Sequence, residues 1–82
     1  MEYKLKSARE MFEELGYECD KSCDGILYSK YIGDILYQID FDNCNKWVKK
    51  QRIKELFEPS ESAYIDIKEL QAINKQIEEL GW

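Results

Sequence analysis

Residues 26–42 read ILYSKYIGDILYQIDFD, and this stretch decides the fold. Gly33-Asp34 can close a two-residue turn between Ile32 and Ile35, because glycine tolerates the positive φ that primed hairpin turns require. Counting outward sets Ile32 against Ile35, Lys30 against Tyr37, Tyr28 against Ile39 and Ile26 against Phe41. Side chains alternate along a strand, so these eight share one face. The other face takes Leu27, Ser29, Tyr31, Leu36, Gln38 and Asp40. The first face is almost wholly apolar and the second is mixed. A slip of one residue would scatter both sets, which specifies the register.

The flanks read as helices. Ser7-Ala8-Arg9-Glu10 has the S-x-x-E pattern of a capping box, which places a helix start at Ser7. Ala8, Met11, Phe12 and Leu15 follow at helical spacing as one apolar stripe. Gly16 stands where a left-handed stop belongs, with Tyr17 folding back on Phe12. Met1–Lys6 before it is expected to be an extended arm, and Glu18–Gly25 after it a polar loop. Near the carboxyl end, Asp66-Ile67-Lys68-Glu69 repeats the capping pattern. Leu70, Ile73, Ile77 and Leu80 supply the apolar stripe of a second helix, with Lys68, Glu69, Gln76 and Glu79 expected in solvent. Gly81 ends it and sends Trp82 back toward Ile77.

Between hairpin and second helix, Asp42-Asn43-Cys44-Asn45 is a turn cluster leading into a third strand, Lys46–Ile53. A three-residue loop puts Trp47 inside, opposite Phe41; a two- or four-residue loop puts Val48 there. The larger buried area of tryptophan favours Trp47. Glu55–Ser62, with the one proline at Pro59, is expected as a loop with Leu56 and Phe57 beneath it, and Ala63-Tyr64-Ile65 as a short fourth strand. These elements predict one α+β domain spanning residues 1–82. It is a two-layer sandwich in which an N-terminal and a C-terminal helix cover one face of an antiparallel three- to four-stranded β-meander. The uncovered face is expected to carry Leu27, Ser29, Tyr31, Leu36, Gln38, Asp40, Val48, Lys50 and Arg52. That is less polar than a solvated face needs to be. It suits either self-association, as a homodimer or higher homo-oligomer, or a binding partner.

Composition narrows the function. The net charge of −5 argues against general nucleic-acid binding. No apolar run approaches the ~18 residues of a membrane span, and the amino terminus lacks a signal-peptide core. Three cysteines fit reduced thiols, so a cytoplasmic location is expected. Cys19 and Cys23 are spaced C-x3-C. With no histidine in the chain and only Cys44 besides, a zinc ligand set is incomplete. The Asp40–Asn43 stretch lacks the third oxygen ligand and the glycine of a calcium loop. No nucleophile elbow, phosphate loop or metal set is present, so neither catalysis nor a cofactor is expected.

Two groups of residues remain as binding candidates. Glu13, Glu14, Glu78 and Glu79 on the helices, with Leu27, Tyr31 and Leu36 on the sheet, form the first, for a protein partner. Lys46, Lys49, Lys50 and Arg52 form a basic island with Trp47 beside it and no acid in residues 46–54. It serves either to protect an edge strand or to hold a small anionic, nucleotide-like ligand at a subunit interface. SAREMFEELGY near the start, the tyrosine- and isoleucine-rich strands, and KELQAINKQIEELGW at the end resemble small proteins of unknown function from phages and prophages of Firmicutes. The resemblance implies an accessory phage protein that binds a host protein, such as a component of a defence system. It brings no catalytic residues with it.

Overall fold

The computed structural model describes residues 6–54 and 61–82, with the backbone alone at Glu61 and Ser62. The chain runs α1 (Ala8–Glu14), β1 (Glu18–Ser22), β2 (Gly25–Ile32), β3 (Ile35–Asp42), β4 (Trp47–Ile53), β5 (Glu61–Ser62) and α2 (Ile67–Leu80). The strands form one antiparallel sheet in the order β1-β2-β3-β4-β5, and both helices pack on one of its faces. The α+β sandwich with a helix at each end is as the sequence predicts.

The central hairpin pairs as counted, Ile32 with Ile35 through Ile26 with Phe41. Gly33 sits at φ +61° and Asp34 on the negative side, the pattern of a type II′ turn. Both capping boxes form. The Ser7 side chain accepts from the Glu10 N–H, and the Asp66 carboxylate accepts from the Glu69 N–H at 2.8 Å. Gly16 is left-handed at φ +93°, and the Tyr17 N–H donates to the Phe12 carbonyl at 3.0 Å. The Tyr17 ring then meets Phe12 edge-on, with centroids 5.7 Å apart. At the other end the Trp82 N–H reaches the Ile77 carbonyl, and its ring lies against Phe41. Phe12 stacks on Tyr28 at 3.9 Å, and Ile26, Ile39, Phe41, Ala72 and Ile73 complete the core.

Four expectations change. Glu18–Ser22 is not a loop but an edge strand, paired from Glu18 with Ser29 to Ser22 with Gly25. Its residues are polar because little covers them; Cys19 alone packs against the core. Trp47 is not inside. Asp42 pairs with Trp47 and Phe41 with Val48, so the loop has four residues and Val48 takes the core position. The Asp42 carboxylate fixes that length by accepting from the Cys44 N–H at 2.8 Å and the Asn45 N–H at 3.1 Å. Lys46 then turns the chain at φ +55°. Because the register moves, Lys50 and Arg52 also change faces and lie under the helices' side of the sheet. The strand predicted at Ala63-Tyr64-Ile65 falls two residues earlier, as β5, so the meander has five strands rather than three or four. The expectations for Met1–Leu5 and for Leu56 and Phe57 lie outside the described residues.

The fourth change concerns α2. Glu69, Ala72, Ile73 and Gln76 are its buried residues, while Leu70 is 43% exposed. The stripe is rotated because two buried tyrosines need polar partners. The Tyr17 hydroxyl donates to Glu69 Oε2 and the Tyr28 hydroxyl to Gln76 Oε1. Lys50, at 8% exposure, donates to Glu69 Oε1 at 2.7 Å and to the Tyr64 carbonyl at 2.8 Å. No buried side-chain polar atom among the described residues lacks a partner.

Candidate functional site

Register sorts the helix-free face into rows that cross the strands. At one end stand Tyr31, Leu36 and Ile53. The next row is polar, Glu18, Ser29, Gln38 and Gln51, with the Gln51 amide donating to Gln38 at 2.9 Å. Then comes Asp20, Leu27, Asp40 and Lys49, and finally Ser22, Gly25, Asp42 and Trp47. The predicted residues Leu27, Tyr31 and Leu36 therefore do share this face. Tyr31 is 73% exposed and Trp47 is 40% exposed. Trp47, expected in the core, instead brings an indole to the surface at the end away from Tyr31.

The Trp47 end is acidic. Asp20, Asp24, Asp40 and Asp42 rim a hollow of about 310 Å³ whose floor includes Gly25 and Leu27. Glycine is required there: a Cβ on Gly25 would lie 1.9 Å from the Phe41 carbonyl oxygen. The close approach brings β2 and β3 together at the hairpin's open end, where the Asn43 N–H donates to the Asp24 carbonyl at 2.9 Å. The hydrogen bond from the Asn45 N–H, joined by those from the Cys44 N–H and the Asn45 side chain, outweighs the opposing effect of desolvation and holds the Asp42 carboxyl below its ordinary value. It is ionised at neutral pH. Asp20, Asp24 and Asp40 make no ion pair within the described residues. The hollow thus presents three carboxylates, Asp20, Asp24 and Asp40, that no cation among the described residues pairs with.

The helix acids behave differently. Glu13 pairs with Arg9 at 3.0 Å and Glu14 with Lys6, while Glu78 lies 3.8 Å from Lys75. Glu79 accepts from the Ala8 N–H at 2.7 Å, so α2 caps the first turn of α1. These four carboxylates do not converge on one site. Glu14 and Glu78 line the groove between the helices with Met11 and Leu15.

The basic island is divided by the pleat. Lys50 and Arg52 face the helix layer, Lys49 faces the open side beside Asp40, and Lys46 is in the turn. Trp47 lies away from Lys50 and Arg52. No three of the described His, Cys, Asp or Glu residues are placed to hold a metal ion. Cys19, Cys23 and Cys44 are free thiols. Among the described residues no helix is long and apolar enough to cross a membrane.

No family model, curated protein or solved structure matches this chain. Function is therefore to be read from the two faces of the sheet. Sequence reasoning missed Asp20 and Asp24 as surface partners of Asp40 and Asp42, because it did not recognise β1. The signal was present in the alternation of E-C-D-K-S, where one small apolar residue faces in between acids that face out.

Proposed function

We propose that this is a non-catalytic interaction protein that binds a basic, partly apolar protein surface through its helix-free sheet face. One observation carries the reading. Exposed Tyr31 and Trp47 lie on the same face as four aspartates that rim a shallow hollow at one end. Tyrosine and tryptophan are the side chains that most often anchor interfaces, and an acidic rim selects lysine and arginine on the partner. The net charge of −5 adds to the steering of such a partner. A second copy would bring the same excess of carboxylates, so charge favours a basic partner over self-pairing. The resemblance to phage and prophage proteins supports a host protein in that role, and inhibition of a host defence component is its simplest consequence.

The test is affinity capture from host lysate with three versions of the full chain. Tyr31→Ser with Trp47→Ser removes two exposed rings and leaves the core intact. Glu13→Lys with Glu14→Lys changes the helix surface instead. We expect the ring variant to lose a partner that the wild type and the helix variant retain, and the captured complex to weaken with salt. Loss with the helix variant alone would transfer the site to the helices and end this reading. A salt-insensitive dimer through the sheet face, seen by sedimentation, would end it as well.

A further inference from the structure

On the helix side of the sheet the register builds another row, Lys30, Tyr37 and Arg52, one residue from each of β2, β3 and β4. The two rows before it, Ile26–Phe41–Val48 and Tyr28–Ile39–Lys50, contribute Ile26, Phe41, Tyr28 and Ile39 to the buried core, whereas this row meets only the end of α1 and the start of α2. Beside this row lies a cleft of about 630 Å³ lined by Lys30, Tyr37 and Arg52, together with Ile32, Lys50, Tyr64, Asp66 and Glu69. Tyr64 is 98% exposed, a ring standing free beside the opening.

The charges differ in their commitments. Lys50 is neutralised by Glu69, whose carboxylate also accepts from Tyr17 and from the Asp66 N–H, and the Asp66 carboxylate caps α2. Among the described residues Lys30 contacts only neutral groups, the Leu15 carbonyl at 3.2 Å and the Tyr17 ring at 4.4 Å. No carboxylate among the described residues pairs with its ammonium at the cleft wall. Arg52 has a partner of its own, but a guanidinium has five N–H donors and need not give them all to one. Strands stand about 4.8 Å apart, so Lys30 and Arg52 are rooted about 10 Å from each other with the Tyr37 ring between them. The Lys50 ammonium lies over that ring, 5.4 Å from its centroid, and Lys30 and Arg52 flank it.

We propose that this cleft binds a mononucleotide-type anion, a phosphomonoester carrying a flat ring. The phosphate lies between Lys30 and Arg52, whose fork suits phosphate oxygens. The ring of the ligand lies against the exposed Tyr64. The volume falls within the range of small-molecule sites. This site is separate from the open face and does not depend on it.

The full chain is small enough for residue-level NMR. AMP, GMP, CMP and UMP are titrated to millimolar concentration, with inorganic phosphate and ribose 5-phosphate as probes that lack the ring. At least one nucleotide is expected to shift the amide signals of Lys30, Tyr37, Arg52 and residues 63–66 together. The ring-free probes should bind about fivefold more weakly or worse, the loss of one stacked base. Lys30→Gln should abolish the response while a dispersed spectrum shows that the fold survives. Tyr31→Ser with Trp47→Ser should leave it unchanged. If no nucleotide shifts this group of signals, the site does not exist as described, whatever the fate of the Lys30 variant. Equal responses to phosphate and nucleotides, spread over the surface lysines, would likewise overturn it.

Discussion

Replacing Lys50 with methionine tests whether the two layers are held by a buried charge pair. The Lys50 and Glu69 side chains are 8% and 2% exposed, and their charges meet at 2.7 Å. At an effective dielectric constant of about 20 the attraction is about 6 kcal/mol, before the desolvation of either ion is subtracted. Desolvation costs several kcal/mol per ion, so the pair as a whole contributes little net. Breaking it is another matter. Lys50→Met leaves the Glu69 carboxylate buried with only the Tyr17 hydroxyl and the Asp66 N–H, and such a loss costs about 3–5 kcal/mol. A chain of 82 residues has a total stability of about 4–12 kcal/mol. The variant should therefore lose about a quarter or more of its stability. Urea unfolding followed by tyrosine and tryptophan fluorescence measures it. Glu69→Gln added to Lys50→Met should recover at least about 1.5 kcal/mol, because the neutral amide can still accept from Tyr17 and no longer needs a cation. A loss under about 1 kcal/mol for Lys50→Met, or strict additivity of the two substitutions, would refute the buried-pair account.

Stability should also fall at both extremes of pH. Burial alone would raise the Glu69 carboxyl, but Lys50, Tyr17 and the Asp66 N–H outweigh it and hold it below its ordinary 4.5. Glu69 thus contributes stability above that pH and loses it as acid protonates the folded state. Burial first, then Glu69, raises Tyr17; burial first, then Cys19, raises Tyr28. Both lie above the ordinary 10.0, so stability falls as pH rises beyond it, when the unfolded phenols ionise. Thermal melts across pH should give a broad plateau between these limits; a midpoint that rises toward pH 3 or pH 11 would contradict the network. Thiol labelling gives a quicker check of β1: Cys23 and Cys44, both exposed, should react quickly with a disulfide reagent and Cys19 slowly. Equal rates for the three would argue that Cys19 does not pack on the core.

The fold was legible where local chemistry and tertiary packing agree. The hairpin register, both capping boxes and the Gly16 stop are each set by residues within a few positions of one another, and the rest of the chain does not contest them. The errors come from places where a distant residue decides. Trp47 has more area to bury than Val48, but the Asp42 carboxylate sets the loop at four residues, and parity then leaves the indole outside. Glu69 and Gln76 look like solvent-facing residues on α2 until the hydroxyls of Tyr17 and Tyr28 require acceptors. The candidate surface was half legible for the same reason. Leu27, Tyr31 and Leu36 follow from alternation in one hairpin, whereas the aspartate rim needs β1 beside β2.

The same parity explains why the basic island of residues 46–54 misleads as a linear motif. A strand does not present consecutive charges together; it divides them between two faces. Lys49 joins Asp40 on the open side, and Lys50 and Arg52 join the helix side, where the cross-strand neighbour of Tyr37 on β2 is Lys30. Lys30 lies sixteen residues before Lys46 and belonged to no motif, yet its pairing with Tyr37 could be counted from the hairpin alone. Cross-strand rows, rather than runs of sequence, are the units in which this sheet displays charge. They give one chain an acidic aromatic face and, on the reverse side, a cleft with cations on both flanks of a tyrosine. The sheet itself separates the two, so a substitution on one face should leave binding at the other unchanged.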